Sequence, residues 1–142
     1  AVNLLMVAVL PAVGEELIFR GIIQKIFSEW TKNIHWGIVI AAFLFSAMHV
    51  QFYGLIPRMF LGVLFGYLLV WSGSIWLPVL AHFVNNAAAV IYFYVAQNNS
   101  YTLPEDYEAL GMQWPVVVFS LGMIGLCCYV IFFNERDRES AG

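Results

Sequence analysis

Ionisable side chains are scarce in this chain, and cysteine is nearly absent. Only 11% of its 142 residues are charged, against 62% that are hydrophobic, and the mean hydropathy is +0.81. A soluble domain carries about 25% charged residues, so this composition excludes that class. No Asp, Glu, Lys or Arg occurs between Asn33 and Pro57, between Met59 and Pro104, or between Ala109 and Asn134. Each gap has room for a membrane span of about 20 residues, which excludes a protein that merely lies on or is anchored to a bilayer. A formal net charge of -3, spread over loops and a tail, offers neither a nucleic-acid surface nor a basic lipid-binding patch. The two cysteines, Cys127 and Cys128, are neighbours in an apolar run. That spacing excludes a disulfide framework and a metal-binding pair, and both read as small apolar residues.

Other absences bear on organisation. There is no internal repeat and no low-complexity tract, and "QNNSYTLPEDYEALGMQ" is the one long polar connection, so a single domain over 1–142 is expected, ending in a polar tail at 134–142. The opening "AVNLLMVAVLPAVG" has no Met and no basic leader region; it reads as the interior of a longer protein whose N-terminal helices precede it.

What is present is a series of apolar segments, at roughly 1–28, 34–51, 57–72, 75–96 and 114–133, with Trp30, Trp36, Trp71, Trp76 and Trp114 near their ends, where indole favours the headgroup interface. Backbone in lipid must satisfy its own hydrogen bonds, so the expectation is an all-α, polytopic transmembrane bundle of about five helical segments. The first segment exceeds an untilted span and contains Pro11 and Gly14, which predicts a kink or break just before Glu15. Lys25 and Lys32 flank the first connection and Arg136 and Arg138 lie in the tail; the excess of basic residues assigns both to the cytoplasmic side. Arg58 is the exception on the far side, where it is expected to snorkel to headgroups. His35, beside Trp36, receives no role.

Against this background a few polar groups stand at depth: Glu15, Glu16 and Arg20 in "GEELIFRG", His49 in "FSAMHV", and His82, Asn85 and Asn86 in "AHFVNNA". An ionised group at the bilayer centre costs at least about 2.5–3.5 kcal/mol, so such groups mark function by default. Glu16 and Arg20 are four apart, acid first, and share a helical face as an ion pair. Glu15 points about 100° away, leaving it free to face a cavity as a general base. His82 and Asn86 are also four apart, and both can donate to one developing oxyanion. Asn85 points elsewhere and bonds between helices.

The ordered set "EELIFR", "FSAMH" and "HFVNN" resembles the CPBP family of intramembrane proteases, which includes the type II CAAX prenyl endopeptidases and the bacterial Abi and bacteriocin-processing proteins. The resemblance runs from Gly14 to about Asn86. It implies a protease core with the active site inside the bundle. Glu15 would be the catalytic glutamate, His49 the partner that orients the attacking water, and His82 and Asn86 the oxyanion donors. Glu16, Arg20 and Phe45 would shape the site. It implies no cofactor; a zinc version of the mechanism would use Glu15, His49 and His82, although no His-Glu-x-x-His pattern occurs. The expected partners are the lipid bilayer and a membrane-anchored or lipidated, possibly prenylated, peptide substrate, and the expected location is the bacterial inner (plasma) membrane. Two other functions use the same residues: a proton-coupled transporter, and a non-catalytic immunity or binding protein of the same fold.

Overall fold

The computed structural model describes residues 5–50, 52, 54–98 and 122, and the described chain is helical without strands. The first rod, α1 (residues 5–31), is built from a π-helical turn Leu5–Val9, an α-helical stretch Leu10–Glu16, a second π-helical stretch Leu17–Ile23 and an α-helical end Gln24–Thr31. Three further helices follow: α2 (Ile34–Met48), α3 (Leu55–Ser72) and α4 (Trp76–Asn98). The fifth expected segment, 114–133, lies outside the described residues except for residue 122, and the tail at 134–142 lies wholly outside them.

The expected break before Glu15 is not formed. Glu16 and Leu17 keep helical dihedrals, at φ -65°, ψ -39° and φ -60°, ψ -41°, and Pro11 stands near the start of an α-helical stretch, where its missing N–H is best tolerated. The helix accommodates its irregular sequence by widening to i→i+5 bonds on either side of the glutamates, as in the bond from the Gln24 N–H to the Phe19 carbonyl. Such π-helical insertions occur frequently at functional sites.

α1 ends where Lys32 turns left-handed at φ 53°, and Asn33 immediately caps α2, its side chain accepting from the amides of His35 and Trp36. This tight reversal lets Gly37 sit directly on Ser28, where any Cβ would collide with the serine hydroxyl. Gly73, at φ 65°, closes α3 by donating to the Leu69 carbonyl at 2.9 Å. The N-terminal half of α1 packs on α4 and its C-terminal end on α2, while α2 pairs with α3. Ala8, Ala12, Phe19, Ile38, Ala41, Ala42, Phe45, Phe65, Leu68 and Val79 form the buried apolar core. Alanines at these contacts let the helix axes approach closely.

Two helical windows, Leu55–Ser72 and Trp76–Val95, are long and apolar enough to cross a membrane, and only 22% and 17% of them are buried within the protein. The core helix of a soluble protein would be mostly covered; these helices turn their apolar surface outward. Ile34–Met48 is apolar but shorter. Trp30, Trp36, Trp71 and Trp76 are all exposed and flank the α1–α2 and α3–α4 turns, which the antiparallel order places at one end of the bundle. His35 Nδ1 and the Tyr67 hydroxyl, 2.7 Å apart, tie α2 to α3 near that end.

Candidate active site

The polar residues of α1 turn inward as a continuous stripe. Glu16, Arg20 and Gln24 are 0%, 1% and 3% exposed, so the most polar positions of this helix are among its most buried. Glu16 Oε1 lies 3.0 Å from Arg20 Nη1 and 2.8 Å from His82 Nδ1. The arginine contact is an ion pair without an aligned hydrogen bond from Nη1; with Glu16 ionised, His82 carries a hydrogen on Nδ1 and donates it to the carboxylate. Arg20 directs its other terminal nitrogen, Nη2, to the Gly62 carbonyl at 3.0 Å.

Two phenyl rings enclose these charges. Phe65 stacks on the His82 imidazole with centroids 5.3 Å apart and planes 21° from parallel, and Phe45 meets the same ring edge-on at 5.7 Å and 88°. The Arg20 guanidinium carbon lies 4.7 Å from the Phe45 centroid and 5.4 Å from that of Phe65, within the range of a cation–π contact. Phe19 abuts the far side of Phe45 at 5.3 Å. The rings fix the orientation of His82 and keep the ion pair dry.

Glu15 occupies a different environment. Its side chain is 22% exposed, and its Oε2 lies 3.9 Å from His82 Nε2, too far for a direct hydrogen bond. That oxygen is buried without a hydrogen-bond partner. Two atoms 3.9 Å apart can nevertheless both bind one water lying off the line between them, each at about 2.8 Å. The imidazole thus stands between two consecutive glutamates, anchored to one and facing the other.

His49 and Asn86 lie around this cluster. His49 caps the C-terminus of α2 and is exposed; its Nδ1 is 3.0 Å from the Phe45 carbonyl, and its ring contacts Phe45 at 5.3 Å. Phe45 therefore touches both His49 and His82 and bridges the difference in their depths. Asn86 donates from Nδ2 to the Val7 carbonyl at 3.4 Å, the group whose i+4 partner in a regular helix would be the amide that Pro11 lacks. Asn85 donates to Asn86 Oδ1, also at 3.4 Å.

Residues without an assigned role in the sequence reading also enter the site. Phe65 and Gln24 are buried in it, and Gly62 contributes its carbonyl. The half-buried Arg58 folds its guanidinium back over Gly54 and lies in electrostatic reach of Glu15, where snorkelling was expected. Two signals for these residues were present in the sequence: Gln24 extends the Glu16–Arg20 spacing by a further four positions, and Arg58 is the sole charge between Asn33 and Pro104.

Among the described residues no group of three His, Cys, Asp or Glu side chains is arranged to hold a metal ion. Glu16 engages His82 at Nδ1 and the Phe45 carbonyl meets His49 at Nδ1, so each ring presents its Nε2 away from that contact.

Residues 1–88, which include the whole cluster, match the family described as type II CAAX prenyl endopeptidase Rce1-like. Among curated proteins, the chain is 27% identical over 89 residues to the uncharacterized protein YpbD of Bacillus subtilis (strain 168), a match covering 60% of this chain and 42% of the relative. It is 34% identical over 84 residues to an uncharacterized 24.3 kDa protein of Escherichia coli, covering 56% of this chain and 39% of the relative. The matches thus span about two fifths of the length of these relatives. No solved structure matches the chain.

Proposed function

Because the chain belongs to the Rce1-like family of type II CAAX prenyl endopeptidases, we propose that it is the core of an intramembrane endopeptidase in which Glu15 activates water for attack on a peptide bond. The carrying observation is the division of labour between neighbouring carboxylates. Glu16 is committed to Arg20 and His82 Nδ1. Glu15 Oε2 has no hydrogen-bond partner and lies 3.9 Å from His82 Nε2, a separation that one water admitted beside the two atoms would bridge.

In this reading Glu15 takes a proton from that water, and the resulting hydroxide adds to the scissile carbonyl. His82, with hydrogens on both ring nitrogens, donates Nδ1–H to Glu16 and Nε2–H to the new oxyanion; Asn86, one turn further along α4, supplies a second donor by releasing Val7. Collapse of the tetrahedral intermediate expels the amine, which takes the proton held by Glu15. His49 orients the water from the rim. The substrate class is a membrane-anchored peptide, with prenylated CAAX-type peptides the first to assay; the proposed setting is a bacterial plasma membrane, for which the two membrane-length helices and the bacterial organisms of the relatives speak.

The test uses the full-length protein in proteoliposomes with a prenylated CAAX peptide and its unprenylated counterpart. Glu15→Gln is expected to lower kcat by about 10²–10⁴-fold, the usual contribution of a general base, while the protein still folds. Cleavage unchanged in Glu15→Gln would remove the mechanism. Proton-dependent solute uptake without cleavage would replace it with transport.

A further inference from the structure

The buried stripe of α1 continues one step beyond the ion pair, to Gln24, and this residue is poorly explained by stability. Its side chain is 3% exposed. Nε2 donates to the Gly66 carbonyl over a long 3.3 Å, and Oε1 is buried with no partner. An unsatisfied buried acceptor costs more than one long hydrogen bond returns. An apolar side chain of the same length would fill this space at lower cost.

The geometry supplies another reason for an amide. Arg20 donates to Gly62 and Gln24 to Gly66, so two residues four apart on α1 bond two carbonyls four apart on α3. Both acceptors are glycines, and both are closely approached: a Cβ on Gly62 would lie 2.9 Å from Ala42 Cβ, and one on Gly66 would lie 2.8 Å from Ile38 Cγ2 and 2.9 Å from Gln24 Oε1. Two rungs fix what one cannot, namely the rotation of α1 about its axis together with its height along α3. In a regular α-helix Gln24 would be about 80° out of line with Glu16, since eight residues advance that far beyond two full turns. The π-helical stretch Leu17–Ile23 lies between them, and its extra residue per turn removes that drift. All three side chains therefore face the same interface, and Glu15, one residue before the stripe, takes its direction from it.

We propose that Gln24 is a positioning residue for this site: with Arg20 it forms a two-rung ladder onto Gly62 and Gly66 that sets the angle of α1 and thereby holds Glu15 opposite His82 Nε2. This inference rests on the proteolytic reading of Glu15. Gln24 touches neither substrate nor the reacting atoms, and it acts through the rotation of α1.

The experiment compares Gln24→Met and Gln24→Leu with the parent full-length protein, reading kcat and KM for peptide cleavage and the thermal midpoint in detergent, with Glu15→Gln in parallel. Loss of the second rung is expected to lower kcat about 10–100-fold, as sub-ångström to 1 Å misplacement of a catalytic group does, with KM and the midpoint unchanged or the midpoint raised. A kcat equal to the parent's in both variants overturns the proposal. So does a kcat loss accompanied by a matching fall in the midpoint, which would make Gln24 a packing residue. An inactive Glu15→Gln beside fully active Gln24 variants rejects the ladder alone, whereas cleavage surviving Glu15→Gln rejects both it and the proteolytic reading.

Discussion

His82 Nδ1 and Glu16 Oε1 meet at 2.8 Å although 66 positions separate the two residues in the chain. This contact joins α4 to α1 at the level of the charged cluster, and it decides which of two consecutive glutamates is structural. Glu16 has its charge matched by Arg20 and its geometry set by His82. Glu15 faces His82 Nε2 at 3.9 Å without a direct hydrogen bond, and Arg58 and Arg20 lie within electrostatic reach.

The first prediction concerns that asymmetry. Breaking one partner of a buried charge pair costs about 3–5 kcal/mol because the other charge is left without compensation. Glu16→Ala is therefore expected to lower thermal stability sharply, whereas Glu15→Ala should change it by less than about 1 kcal/mol, as for a partly exposed pair. Thermal unfolding of both variants in the same detergent checks this, and equal destabilisation would contradict the assigned roles.

A methyl group at position 66 should be harmful. The Cβ of Gly66→Ala would press on Ile38 Cγ2 at 2.8 Å and on Gln24 Oε1 at 2.9 Å, and overpacking of this kind costs about 1–3 kcal/mol. Gly21→Ala, where no atom lies within 4 Å of the added Cβ, is the matched control. It is expected to be neutral or slightly stabilising, because alanine favours the helix by about 1 kcal/mol. Unfolding midpoints that rank the two variants the other way would refute the close approach of α1, α2 and α3.

Val50 follows His49 with φ 51° and is 90% exposed. A β-branched residue in the left-handed region costs about 1–2 kcal/mol, and glycine there gives back about 0.5–1 kcal/mol in unfolded-state entropy. Val50→Gly is expected to stabilise by up to about 1 kcal/mol, visible as a rise in the unfolding midpoint of about 2–4 °C. A lowered midpoint would show that the turn after α2 is not left-handed at this residue.

Metal removal gives a further outcome. With no trio of His, Cys, Asp or Glu side chains gathered around a metal position among the described residues, cleavage should survive EDTA and dialysis, and purified protein should contain far less than one zinc per chain by elemental analysis. Stoichiometric zinc lost together with activity would replace the glutamate-activated water with one activated by a metal at Glu15, His49 and His82.

Parts of this organisation were legible without coordinates. Helix α3 follows from a charge-poor run with Arg58 at its start and Gly73 at its end, and α4 from the apolar run that holds His82. The Glu16–Arg20 pair was readable because an i, i+4 relation is a property of any helix. Of the kink or break expected just before Glu15, the break is absent: the α-helical stretch Leu10–Glu16 runs through Pro11 and Gly14, with π-helical turns on either side.

Sequence alone determined the helical class, the outward-facing apolar surface and the small set of polar groups interrupting the apolar segments, because hydropathy, helix periodicity and four-residue spacing all act locally along the chain. Only the tertiary structure decided that Glu16 anchors His82 while Glu15 faces it, that Phe45 and Phe65 sandwich the charges, and that Gln24 and Arg20 climb the carbonyls of Gly66 and Gly62. Those relations depend on the rotation and height of one helix against another. They are set by side-chain shape at contacts between different helices, far apart in the chain, where neither periodicity nor composition has any reach.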